Sequence, residues 1–159
     1  MQEHERMRIA YVHTAFWPSD SPSITFSSLA AYSLAGAAEG CDFFIKRNST
    51  LSPKQVYAEY FGLKKPVTLK VHAIEPLLDF SNIFYYLRVY SMLKSRIRQG
   101  LLDCIITRNI TFIPYLVRLR KKYGTPVFFE SHDFYSGTKR KRKRSKKSEK
   151  YARIEKKYL

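Results

Sequence analysis

Five short apolar runs punctuate the chain, and longer mixed segments separate them. The runs are RIAYVH (8–13), CDFFIK (41–46), VTLKVHAI (67–74), DCIIT (103–107) and PVFFES (126–131). Each is rich in Ile, Val and Phe and is flanked by Gly, Pro, Ser or charged residues, which reads as a buried strand. The intervening segments have helical character. Residues 25–39 are rich in Ala, Leu and small side chains, with Ser23 or Thr25 as the expected cap and Gly40 as the expected stop. Ser52 followed by Pro53 predicts a second helix start. Positions 83, 84, 87, 90, 93 and 97 are apolar at a spacing near 3.6, which predicts a third helix with that face inward. In TFIPYLVRLRKKYG, Thr111 precedes an apolar face, Pro114 falls in the first turn and basic residues close the last turn. The final KKSEKYARIEKKYL predicts a weakly amphipathic helix.

Alternating strands and helices predict an α/β protein. The expected form is a doubly wound, Rossmann-like parallel sheet of about five strands, with right-handed crossovers and helices on both faces. All strand C-termini then share one edge, and ligands bind in the crevice outside it. The residues that leave each strand are therefore the candidate chemistry. They are His13, Thr14, Trp17 and Asp20 after the first, Arg47 and Asn48 after the second, Arg108 and Asn109 after the fourth, and Glu130, His132 and Asp133 after the fifth. Polar rim residues can equally be solvated loop side chains. Glu130 can simply pair with Arg108 across neighbouring strand ends, and His72, inside a run, reads as a packed or edge histidine.

Absent motifs narrow the chemistry. No G-x-G-x-x-G or G-x-x-x-x-G-K-[ST] is present, and TAFWPSDSPSITF after the first run has no glycine. The usual dinucleotide and P-loop cradles are therefore unsupported, although a helix start near Thr25 can still face an anion. No H-E-x-x-H, Cys-x-x-Cys or clustered Cys/His set points to a metal, and no G-x-S-x-G elbow marks a serine hydrolase.

Composition adds less than its distribution. The 159 residues are 45% hydrophobic and 15% aromatic, as in a globular domain with a sizeable core. The formal net charge is +16, but residues 139–157 alone hold twelve Lys/Arg against Glu149 and Glu155. Most of the excess is thus one tail. Its densest part is Lys139, Arg140, Lys141, Arg142, Lys143 and Arg144. Stacking aromatics do not interrupt this run, which argues against nucleic acid. An anionic membrane surface is the preferred partner for it, and a purely solvated run is the bland alternative. Cys41 and Cys104 open strands and read as reduced, packed thiols. No apolar run is long enough to span a membrane and no secretory core opens the chain, so a cytoplasmic setting, peripheral at most, is expected.

MRIAYVHTAFWPSDSP with its small-residue helix, then DCIITRN, then LVRLRKKYGTPVFFESHD, resembles the N-terminal domain of family 4 GT-B glycosyltransferases. The resemblance spans roughly 7–134, and RLRKKYGTPVFFESHD is its most specific part. It implies a two-domain retaining enzyme with no obligatory metal, in which this domain faces the acceptor and a second domain binds the nucleotide sugar. By that resemblance His132 lies near the anomeric carbon of the donor. Thr14 and Trp17 border acceptor and donor phosphates, and Arg108 and Asn109 line the acceptor side. His13, Glu130 and Asp133 complete the expected substrate-binding set. Where many such proteins carry glycines in the first loop, this chain has SDSPSITF.

The expected organisation is therefore a Rossmann-like unit over 1–137 and a basic segment with a C-terminal helix over 138–159. The donor-binding domain is not within the chain. The expected function is the acceptor side of a sugar transfer from a nucleotide-sugar donor, with the chain inactive alone and holding no cofactor of its own. The alternative is a non-enzymatic module that binds a polyanion through its basic tail.

Overall fold

The computed structural model describes residues 7–75, 82–131 and 146–159. Five strands form one parallel sheet: β1 (Arg8–Trp17), β2 (Gly40–Arg47), β3 (Leu69–Ile74), β4 (Cys104–Thr107) and β5 (Val127–Phe129). Five helices alternate with them: α1 (Pro22–Ala37), α2 (Pro53–Phe61), α3 (Ile83–Arg98), α4 (Ile113–Tyr123) and α5 (Lys146–Tyr158). The strand order is β3-β2-β1-β4-β5, the doubly wound order in which the chain changes direction of growth at β1. The expected fold class is observed.

Apolar residues alternate between two cores because successive strand side chains point to opposite faces. On one face Tyr11, Phe43 and Ile45 pack against Ile24, Ala31 and Ala35 of α1 and Val56 and Tyr57 of α2. On the other, Ala10, Val12, Phe44 and Ile105 meet Tyr85, Tyr86, Val89 and Leu93 of α3 and Leu116 and Leu119 of α4. Both cysteines are free and buried.

Several expected boundaries shift. α1 begins at Pro22 behind an N-cap Ser21, not at Ser23 or Thr25, because proline pre-sets the first helical φ. Gly40 opens β2 and does not cap α1, which ends through Ala38. Ser52 caps α2 as expected, in a reciprocal pair with Gln55. Asn109 caps a short 3-10 turn (Ile110–Phe112) ahead of α4, accepting from Thr111 N, and α4 itself starts behind Phe112 with no side-chain cap. Gly124 ends α4 at φ 77°. The inward face of α3 is Tyr85, Tyr86, Val89 and Leu93, while Ile83, Phe84 and Leu87 are exposed. β5 is a three-residue edge strand whose Phe128 is 56% exposed, not a deeply buried run.

Candidate functional site

β1 runs four residues further than its apolar run suggests. Its pairing with β2 shifts register between Val12 and Phe16 and resumes at Phe16 and Trp17. That irregularity carries His13 and Thr14 to the C-terminal edge, beside the end of β4. The strand order reverses here, and a crevice of about 490 Å³ opens. Its walls are His13 from β1, Arg108 after β4, Phe129 and Glu130 at the end of β5, and Pro22, Ser23 and Phe26 from the first turns of α1.

The polar groups form a connected set. The Arg108 guanidinium lies 4.7 Å from the Phe26 ring centre and donates to the Ser23 carbonyl and Ser27 Oγ, both at 3.2 Å. Its Nε stands 3.8 Å from a Glu130 carboxylate oxygen. The expected strand-end pairing is therefore present, at the long end of an ion-pair distance. The other Glu130 oxygen accepts from the Tyr11 hydroxyl at 2.7 Å. The Ser27 hydroxyl donates to the Ser23 carbonyl at 2.9 Å, so its oxygen is the acceptor toward His13 Nδ1 at 3.1 Å. This assigns the proton to Nδ1 and leaves Nε2 as the basic nitrogen of the ring. Burial, aided by the Arg108 charge, lowers the His13 pKa from 6.5 to about 4, so the ring is neutral at pH 7. Burial and the Glu130 bond push the Tyr11 phenol up, so it stays a donor. A neutral imidazole acceptor, a guanidinium donor and a carboxylate along one wall suit a polyhydroxylated ligand, whose hydroxyls donate and accept at once.

Thr14 and Asn109 face the other side of the sheet. Asn109 Nδ2 donates to Thr14 Oγ1. Asn109 Oδ1 accepts from the Tyr86 hydroxyl at 3.1 Å, from Thr111 Oγ1 at 2.6 Å and from Thr111 N at 3.0 Å. The buried Lys46 amine donates to Asn82 Oδ1 and stands 5.0 Å from the Phe16 ring centre. Thr14 and Asn109 are thus joined to each other, but into a network under α3 and α4 and not into the crevice.

Trp17 takes a core position instead of a rim position. It is 2% exposed, its indole N–H donates to Ser28 Oγ at 2.9 Å, and its ring meets Phe43 edge-on at 6.4 Å. The buried indole packs among α1, α2 and β2 because the alternation of β1 turns position 17 to the same face as Tyr11. His132, Asp133 and Lys139, Arg140, Lys141, Arg142, Lys143 and Arg144 lie outside the described residues. Sequence reasoning missed Tyr11, Ser23, Phe26 and Ser27. A tyrosine in an apolar strand and serines in a small-residue helix carry no local signal of a site.

A second trio of the same residue types sits nearer the N-terminal edge. Asp42 contacts His72 Nε2 at 2.6 Å and Arg96 at 2.9 Å, and His72 stacks on Phe44 with ring centres 4.6 Å apart. At that edge Arg8 also forks onto Asp103 through bonds of 3.1 Å. Burial would raise the Asp103 carboxyl, but the Arg8 bonds and charge outweigh it and lower its pKa. Among the described residues, no group of three or more His, Cys, Asp or Glu is placed to hold a metal ion, and no helix is long and apolar enough to cross a membrane.

No family model and no curated protein matches the chain. Solved structures do. The Phytolacca americana enzyme UGT2, complexed with UDP-2fluoro-glucose and pterostilbene, superposes with TM-score 0.50 at 16% identity, covering 81% of this chain and 31% of its own. The lipopolysaccharide outer core galactosyltransferase WaaB, in apo form, gives TM-score 0.49 at 13% identity, covering 84% and 35%. The C-terminal domain of a Pyrococcus furiosus hydrogenase gives TM-score 0.45 at 14% identity, covering 78% and 90%. The chain thus spans about a third of each of the two transferases. What it shares with the plant enzyme, at this identity, is the Rossmann-like α/β fold.

Proposed function

We propose that the chain is the acceptor-side half of a retaining GT-B glycosyltransferase, over residues 1–137, working with a second domain that binds a nucleotide sugar. The observation that carries this reading is the crevice at the strand-order reversal, where His13, Arg108 and Glu130 line one wall. The resemblance of RLRKKYGTPVFFESHD to family 4 enzymes supports it. The plant transferase is complexed with UDP-2fluoro-glucose, a nucleotide sugar, the class of donor proposed for the second domain.

In this reading His13 Nε2 accepts from an acceptor hydroxyl, Arg108 donates to a neighbouring oxygen, and Glu130 holds Arg108 and Tyr11 in place. The open crevice is closed by the donor-binding domain, which excludes water and completes the site. His132, two residues beyond Glu130, is the residue assigned to the donor sugar. The basic run from Lys139 to Arg144 holds the complex at an anionic membrane surface on the cytoplasmic side, each cation contributing about 1 kcal/mol near such a surface.

The test is sugar transfer by the two-domain enzyme with nucleotide sugars and a panel of glycoside acceptors. Arg108→Ala and His132→Ala each lower kcat/KM by at least about tenfold with the fold intact by circular dichroism. Full transfer activity in both variants, or turnover by residues 1–159 alone, rejects the reading.

A further inference from the structure

A larger cavity, of about 830 Å³, lies on the opposite face from the crevice, where the first half of α5 meets the starts of α3 and α4. Four cations border it, Arg118, Lys146, Lys147 and Lys150, and Tyr86 and Tyr115 are among the rings that line it. None of its lining side chains among the described residues is acidic. Like charges gathered around one void repel one another, and a multiply charged anion at the centre relieves that repulsion.

All four cations are exposed, and two of them rest on rings. The Arg118 guanidinium lies 5.9 Å from the Tyr115 ring centre and the Lys147 amine 5.8 Å from that of Tyr151. Tyr115 in turn packs on Tyr86 at 5.6 Å, and the Tyr86 hydroxyl is fixed by Asn109 and Thr111. The starts of α3 and α4 add their positive ends with no acidic residue in their first turns, while the first turn of α5 carries Glu149, which does not line the groove. The volume falls in the range of small-ligand sites, roughly 300–1,000 Å³. A guanidinium fork with three amines matches the oxygens of phosphate better than a lone carboxylate.

We propose that this α3–α4–α5 groove binds a phosphate- or pyrophosphate-bearing ligand. The proposal goes beyond the sugar-transfer reading and does not rest on it, since none of the groove residues lines the crevice. The phosphate can belong to a soluble molecule or to a lipid headgroup, and the two sources are separable.

The test is calorimetric titration of the 159-residue chain with inorganic pyrophosphate at fixed salt, using two double variants that remove the same net charge. Arg118→Ala with Lys150→Ala takes two cations from the groove. Lys121→Ala with Lys122→Ala takes two cations, exposed like those of the groove, from the end of α4, outside it. The groove variant is expected to weaken binding at least about tenfold at one site per chain, and the control by less than about twofold. Equal weakening in both, or uptake that does not saturate near one per chain, overturns the proposal, because binding would then follow net charge alone. Sedimentation with phosphatidylcholine vesicles, with and without phosphatidic acid, assigns the source. Capture that needs phosphatidic acid and is weaker in the groove variant than in the control, both of which keep the Lys139–Arg144 run, supports the site with a lipid headgroup. Pyrophosphate binding without such capture supports it with a soluble ligand.

Discussion

The two ends of the sheet each hold a histidine, a carboxylate and an arginine, and they use them differently. Toward the N-terminal edge, His72 and Arg96 both touch Asp42, at 2.6 and 2.9 Å, and Asp42 is 8% exposed. The three satisfy one another and leave little for a ligand to do. At the C-terminal edge, Glu130 stands 3.8 Å from Arg108 and takes the Tyr11 hydroxyl instead, while His13 leans on Ser27. Those groups are held by their neighbours along the wall of a crevice. The residue types do not distinguish a structural cluster from a site. Asp42 and Arg96 also border a space, of about 310 Å³ against about 490 Å³ at the crevice, so it is the distances within each trio that separate them.

The largest effect that separates the two ends is on stability. Asp42→Ala leaves His72 and Arg96 without their carboxylate in a mostly buried setting. It is expected to cost about 3 kcal/mol in urea unfolding. A cost below about 1 kcal/mol would mean the N-terminal trio is not closed in the way described.

The next effect is a pH dependence of similar size that belongs to the other end. His13 titrates near 4 when folded against 6.5 unfolded, so between those values the unfolded chain binds the extra proton. Its contribution is complete above pH 6.5 and declines as pH falls toward 4, by roughly 3 kcal/mol in total. His13→Gln should flatten that segment of the stability profile measured by urea midpoints. An unchanged slope in the variant would place a different group behind it.

A smaller effect tests the openness of the crevice. Glu130→Gln keeps an acceptor for Tyr11 and removes the charge from the 3.8 Å contact with Arg108. It is expected to cost about 1 kcal/mol or less. A loss as large as that of Asp42→Ala would make the two trios equivalent and dissolve the contrast. The smallest shift is expected for Arg8→Gln at the N-terminal edge, because that fork lies at the surface.

Much of the frame was legible in the sequence. The five runs became five parallel strands because each is short, apolar and bounded by breakers. Ser52, Pro53 and Gly124 marked helix ends through local backbone chemistry, which needs no tertiary context. The readings that failed depended on tertiary context. Ile83, Phe84 and Leu87 fit a helical period as well as the true core face does. Two tyrosines, Tyr85 and Tyr86, took the interior because their hydroxyls find His13 O and Asn109. Trp17 lies beyond the apolar run RIAYVH and so reads as a rim residue after the first strand. The register shift in β1 returned it to the strand and the core. At the crevice, the placement of Arg108 and Glu130 was legible from their position after strands. Ser27 and Tyr11 were not, since what they do depends on which strand ends lie beside them.

On the proposed function, the crevice end of the sheet meets substrate and the Asp42 end does not. Matched arginine variants test it most directly, with kcat/KM for sugar transfer measured in the two-domain enzyme. Arg108→Ala is predicted to lower kcat/KM at least about tenfold, while folded Arg96→Ala retains it within about twofold. Equal losses in the two variants, or a larger loss in Arg96→Ala, would contradict the claim.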